Sequence, residues 1–153
     1  MRAVDFRLRP PYRSYLNSFM YDMPALEKSH AVRSLGPVSE AAQRRDVSLL
    51  VKEMEEAGVR WGVAPVRLPQ NGDNGDALAL MEEYPDHFIG IPWIDPLNPD
   101  AARDEIERLC VRGPCRGVIM EPGLYTTPVK WFVNNPDVFP VYEYCARQGV
   151  PVL

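Results

Sequence analysis

Strand-like and helix-like segments alternate along the whole of this chain, and that alternation limits the folds open to it. Val59–Val66, Phe88–Ile94, Arg116–Glu121 and Val150–Leu153 are short apolar runs bounded by Gly, Pro or Asp, and they predict strands. Helical spacings lie between them. Val47, Leu50, Val51 and Met54 fall at i, i+3, i+4 and i+7 within a helix predicted from Ser39, its cap, to Ala57, with Gly58 as the stop. Ala77, Leu80, Met81 and Tyr84 mark a second helix over 76–84. Asn98-Pro99 and Asn135-Pro136 each put a capping side chain before a proline at the first helical position. The first opens a helix burying Ala102, Ile106, Leu109 and Cys110 before Gly113-Pro114; the second buries Val138, Val141, Tyr142 and Cys145 before Gly149. With a first strand over 3–9, the order is βαβαβαβαβ. Such a series predicts a parallel sheet with right-handed crossovers, either an open doubly wound sheet or part of a (β/α)8 barrel.

The first strand is the unusual one. Side chains alternate along a strand, so Val4, Phe6 and Leu8 are expected on one face, packed under helices, and Asp5, Arg7 and Arg9 on the other. Pro10-Pro11 then ends the ladder, because proline has no N–H to donate. A carboxylate followed by two guanidinium groups along one face calls for a use of the charge.

Two stretches exceed an ordinary connection of about 4–6 residues. The loop over 10–38 carries Tyr12, Tyr15, Phe19, Tyr21 and Met23, and the loop over 122–135 carries Tyr125, Lys130, Trp131 and Phe132. Their aromatics either wall a binding site or pack the loops onto the body. The turn-rich run over 71–76 lacks the ligand spacing and closing glutamate of a calcium loop.

The 153 residues suffice for one domain over 1–153, and a net charge of −4 without a basic stripe argues against nucleic acid. No apolar run approaches the roughly 20 residues of a membrane span. Asp5 and the early arginines interrupt any signal-peptide core, so a cytoplasmic location without membrane partners is expected. Cys110, Cys115 and Cys145 are odd in number and lack C-x-x-C spacing, which argues against disulfides and zinc. Of the two histidines, His30 falls in the first long loop and His87 at a helix end. Neither sits where barrel active sites are built, at the C-terminal ends of strands.

Together these segments resemble the amidohydrolase superfamily, in particular its amidohydrolase-related group of the aminocarboxymuconate-semialdehyde decarboxylase type. The resemblance rests on the Asp5-Phe6-Arg7-Leu8-Arg9 opening, Tyr84-Pro85-Asp86-His87-Phe88-Ile89-Gly90, Asp95-Pro96, and Arg116-Gly117-Val118-Ile119. It continues through Val138-Phe139-Pro140-Val141-Tyr142-Glu143-Tyr144-Cys145 and Gly149-Val150-Pro151-Val152. It implies a parallel (β/α)8 TIM-barrel type of α/β fold, of which this chain holds the first four βα units and the start of strand five. A full barrel takes about 250 residues. The chain thus resembles the N-terminal half of such a protein, expected as a fragment of a longer barrel in preference to a half-barrel that pairs with a second half or forms a homo-oligomer.

The family opening is Asp-x-His-x-His, whose histidines bind a catalytic zinc or other divalent metal. Here both positions are arginine, at Arg7 and Arg9. Guanidinium offers no acceptor and stays charged, so no metal cofactor is expected at this motif. The mouth of the barrel would instead gather Arg7, Arg9, Arg67, Trp93, Asp95 and Glu121, with Tyr12, Tyr15, Tyr125 and Trp131 as flat walls. Arginine forks match a carboxylate. Glu121 and Asp95 are the candidate catalytic acid–base groups, and Arg7, Arg9, Arg67, Tyr12, Trp93 and Tyr125 the candidate substrate contacts. The expected function is hydrolysis or decarboxylation of a small anionic, aromatic molecule. The alternatives are a non-catalytic carboxylate binder on the same fold, or a purely structural ionic layer of Arg7 and Arg9 with Asp5 and Glu121.

Overall fold

The sheet grows outward from its second strand. β2 (Val59–Pro65) pairs in parallel with β1 (Ala3–Asp5) on one side and β3 (Phe88–Ile91) on the other. The computed structural model describes residues 3–22, 24, 37–67, 71–121 and 131–153. Past β3 the parallel pairing continues as two single bridges, Trp93 with Ile119 and Val118 with Val152. The Ile119 N–H donates to Pro92 O and the Val118 N–H to Pro151 O, both at 2.9 Å. Prolines at 92 and 151 withhold the N–H groups that a regular ladder would use, which explains why the strand expected over 116–121 is only a pair of bridges. Neighbours lie side by side in chain order, an arrangement consistent with part of a TIM barrel.

The helix expected over 39–57 is two helices. α1 (Glu40–Arg44) is capped by Ser39, whose hydroxyl accepts from the Ala42 N–H. Arg45 then turns left-handed at φ 54°, and Asp46 caps α2 (Val47–Glu56) by accepting from the Ser48 and Leu49 N–H groups. α3 (Asn74–Glu83) starts two residues before its expected position, because Asp73 accepts from Gly75 N–H. α4 (Pro99–Ile106) runs on into a π turn over Glu107–Val111, and α5 (Phe139–Gln148) ends at Gly149, which is left-handed at φ 66°.

Alternation along β2 sends Ala64 to the helix side and Val63 to the other face. Two helix-side clusters hold most of the core. Tyr12, Tyr15, Met54, Val66, Leu80 and Phe88 form one; Ile106, Leu109, Val118, Val138, Val141 and Cys145 belong to the second. Val63, Ile91 and Ile119 cluster on the opposite face. Residues 10–22 pack on the body through buried Tyr12, Tyr15 and Tyr21, and Trp131 is buried in the second cluster. Both observations favour packing over a binding wall for these aromatics. No helix among the described residues is long and apolar enough to cross a membrane.

Candidate functional site

The site begins where β1 stops. Asp5 Oδ1 accepts the Arg7 N–H at 3.0 Å, an Asx turn that ends the strand at Asp5. The chain rejoins the sheet when Leu8 N–H donates to Val63 O at 2.9 Å. This detour corrects the expected alternation. Leu8 reaches the helix-side core as predicted, but Phe6 does not: it is 63% exposed. Val4 is exposed as well, beside a register shift between Ala3 and Val4.

Four of the predicted side chains come together. Glu121, with its side chain 8% exposed, accepts from Arg67 Nε at 3.0 Å through Oε2 and faces Arg7 Nη2 at 3.5 Å through Oε1. Arg9 is beside them. Its Nη1 donates to Arg7 O at 3.0 Å, and Tyr21 Oη donates to Arg9 O at 2.5 Å, fixing the backbone there. Arg9 Nε is buried without a hydrogen-bond partner. Burial, then the charges of Arg67 and Arg7, lower the Arg9 pKa, with Glu121 opposing them. Two guanidinium groups, of Arg7 and Arg67, thus share one carboxylate, with the third beside them.

Two hollows flank this cluster. One, of about 290 Å³, is lined by Phe6, Arg7, Pro65, Ile119, Met120, Glu121 and Leu153. The other, of about 10 Å³, lies among Arg9, Arg67, Ser14, Tyr15, Ser18 and Gly72 and is the size of one water.

The remaining predicted residues lie elsewhere. Tyr12 starts a 3-10 turn that folds back on α3, and its hydroxyl donates to Glu83 Oε2 at 2.9 Å, so it is helix-side core and no wall of the mouth. Tyr15 Oη likewise donates to Ala64 O at 3.1 Å inside that core. Trp93 is held by Asn74, which accepts its N–H at 2.8 Å and donates to its carbonyl at 2.9 Å; it lines a separate hollow with Asp73 and Glu105. Asp95 is exposed and accepts from Leu97 N–H at 3.0 Å, the cap of a turn. Tyr125 and His30 lie outside the described residues. The sequence reading missed Phe6 as a lining residue; the signal was Asp5, whose short carboxylate favours a turn over a continued strand.

Arg7, Arg9 and Glu121 do not by themselves form a ligand set for a divalent metal. Arg7 and Arg9 offer no lone pair, and Glu121 is engaged by two guanidinium groups. Among the described residues, no three His, Cys, Asp or Glu side chains gather to hold a metal. His87 faces Glu55 at 3.3 Å, in a groove with Gly58 and Arg60. Burial pushes the Cys110 thiol up to about 11 and Cys115 up to about 12, which keeps them as neutral core groups.

Known structures share this frame. An uncharacterized TIM-barrel protein from Bordetella bronchiseptica is 28% identical, with a TM-score of 0.83, over 99% of this chain and 54% of its own. A 5-carboxyvanillate decarboxylase from Novosphingobium aromaticivorans, complexed with manganese and 4-hydroxy-3-methoxy-5-nitrobenzoic acid, is 15% identical with a TM-score of 0.62, over 98% of this chain and 48% of its own. A 2,6-dihydroxybenzoate decarboxylase from Rhizobium is 16% identical with a TM-score of 0.59, over 99% of this chain and 49% of its own. The chain spans about half the length of these proteins. At the lower identities the likeness speaks for the fold. The Amidohydrolase family model matches residues 4–153, and the chain belongs to that family.

Proposed function

We propose that this chain forms the arginine-lined wall of a pocket for a small aromatic carboxylate, in an enzyme that decarboxylates or hydrolyses it without a metal at the first strand. One observation carries the reading: Arg7 and Arg67 meet a single carboxylate, and Arg9 stands beside them with its Nε left without a partner. An anionic ligand in the larger hollow would meet Arg7, whose guanidinium fork suits it. The aromatic acids after which the decarboxylases above are named support the same ligand class.

Glu121 is the acid–base group in this proposal. In decarboxylation the C–C bond breaks, carbon dioxide leaves, and the electron pair left on the ring carbon takes a proton from a water held by the Glu121 carboxylate, leaving a hydroxide that solvent neutralises. In hydrolysis Glu121 takes a proton from the water as its oxygen bonds to the scissile carbonyl carbon, and returns that proton to the departing nitrogen or oxygen when the old bond breaks. Clamping the carboxylate that departs would favour the ground state. A second reading, a binder without turnover, is favoured by the engagement of Glu121 with both Arg7 and Arg67.

Titration of the full-length protein with 2,6-dihydroxybenzoate and its methyl ester tests the site. The acid should bind and the ester should not. Arg9→Met should weaken the acid by roughly ten- to a hundredfold, as expected for losing a charge-assisted bond of roughly 1.5–3 kcal/mol. Equal affinity in wild type and Arg9→Met would remove the arginines from the site. Release of carbon dioxide, or of a hydrolysis product, separates the enzyme from the binder.

A further inference from the structure

We infer that Phe6 is the residue that selects for an aromatic ring at this site. The inference rests on the carboxylate reading above and adds what recognises the rest of the ligand. The Asx turn at Asp5 breaks the strand alternation and brings Phe6 out beside Arg7, with both lining the same hollow. Phe6 is 63% exposed, and among the described residues no other ring or cation stacks on it.

The lining also includes Ile119, Met120 and Leu153, which are apolar, and Glu121, which is charged. The hollow therefore combines a flat ring, aliphatic side chains and one guanidinium fork. That is the complement of a ring bearing one anionic group. Its volume of about 290 Å³ lies at the lower end of ligand pockets, about 300–1,000 Å³, and suits a single ring. Pro65 adds a rigid surface beside Phe6. Aliphatic acids would meet the same arginine, Arg7, but gain no offset or edge-to-face contact with the phenyl ring.

Calorimetry on the full-length protein with benzoate and cyclohexanecarboxylate tests the assignment, since the two acids match in charge and nearly in size. Wild type should prefer benzoate by about three- to tenfold, the range that an aromatic pair adds beyond burial. Phe6→Leu should abolish that preference while keeping cyclohexanecarboxylate affinity within twofold, and Phe6→Tyr should retain it. Phe6 is exposed, so neither substitution opens a cavity in the core. Both acids binding, with an unchanged ratio in Phe6→Leu, would overturn the role of Phe6 and leave the arginine site standing. Neither acid binding wild type would overturn both.

Discussion

Arg67 Nε donates to Glu121 Oε2 at 3.0 Å, with the two side chains 14% and 8% exposed, so the contact joins the ends of two strand segments away from solvent. Arg7 reaches the second carboxylate oxygen from outside, with 64% of its side chain exposed. The carboxylate therefore does two things at once: it holds these segments together and occupies part of the charge that a ligand would otherwise meet.

Glu121→Gln separates the two roles. Stability should fall by about 1.5–3 kcal/mol, because a hydrogen bond between charged partners is lost where Arg67 has little access to water. Affinity for an aromatic acid should rise at the same time, since two guanidinium groups are released. Urea denaturation reads the first change and calorimetry the second. A loss of stability with no gain in affinity would place the ligand elsewhere.

Gly62→Ala should reach the site indirectly. A Cβ at Gly62 would stand 2.4 Å from Leu8 Cδ2 and 3.3 Å from the Phe88 ring. Overpacking of this kind costs typically about 1–3 kcal/mol. Leu8 lies between Arg7 and Arg9, so its displacement should also weaken carboxylate binding. A variant that melts lower and still binds with wild-type affinity would show that the arginines are not positioned through Leu8.

Tyr12→Phe tests the reassignment of Tyr12. Removing the hydroxyl deletes its bond to Glu83 at 2.9 Å and should lower stability by about 0.5–1.5 kcal/mol. Carboxylate affinity should not change. A selective loss of affinity with unchanged melting would return Tyr12 to the pocket.

Most of the fold was legible because its signals are local. Ser39, Asn98 and Asn135 cap where expected, Gly149 stops α5, and the helical stripes at Ala77 and Leu80 and at Val141 and Cys145 are buried. The break between α1 and α2 was missed because the apolar period runs through it, while the stop lies in Arg45's backbone and the Asp46 side chain. The gathering of Arg7, Arg9, Arg67 and Glu121 was legible from strand-end positions alone. Phe6 was not, because strict alternation carries no record of a carboxylate that bonds two residues ahead. Tyr12 and Trp93 were misplaced for a related reason: their partners, Glu83 and Asn74, are set by tertiary packing.

The buried thiols give the protein an alkaline limit. Burial holds the folded values of Cys110 and Cys115 at about 11 and about 12, above the roughly 8.5 of a free thiol. The unfolded chain therefore loses these protons first. Their stabilising contribution is complete below about pH 8.5 and declines as pH rises toward the folded values. Urea midpoints should fall between pH 8.5 and 11, and Cys115→Ala should flatten that fall. A midpoint independent of pH over this range would show that the thiols ionise equally in both states.

The turn at Asp5 also gives the two nearby arginines different exposure to salt. Arg7 stands in solvent, where ions at physiological strength screen charges beyond about 8 Å, whereas Arg9 is half-buried and its Nε is shielded. Rising ionic strength should weaken the outer contact first and leave the inner one in place. Binding would then respond to salt in two stages, an early decline that belongs to Arg7 and a plateau that belongs to Arg9 and Arg67. A chain whose strand ran unbroken through residue 9 would put both charges in one row, and both would fade together.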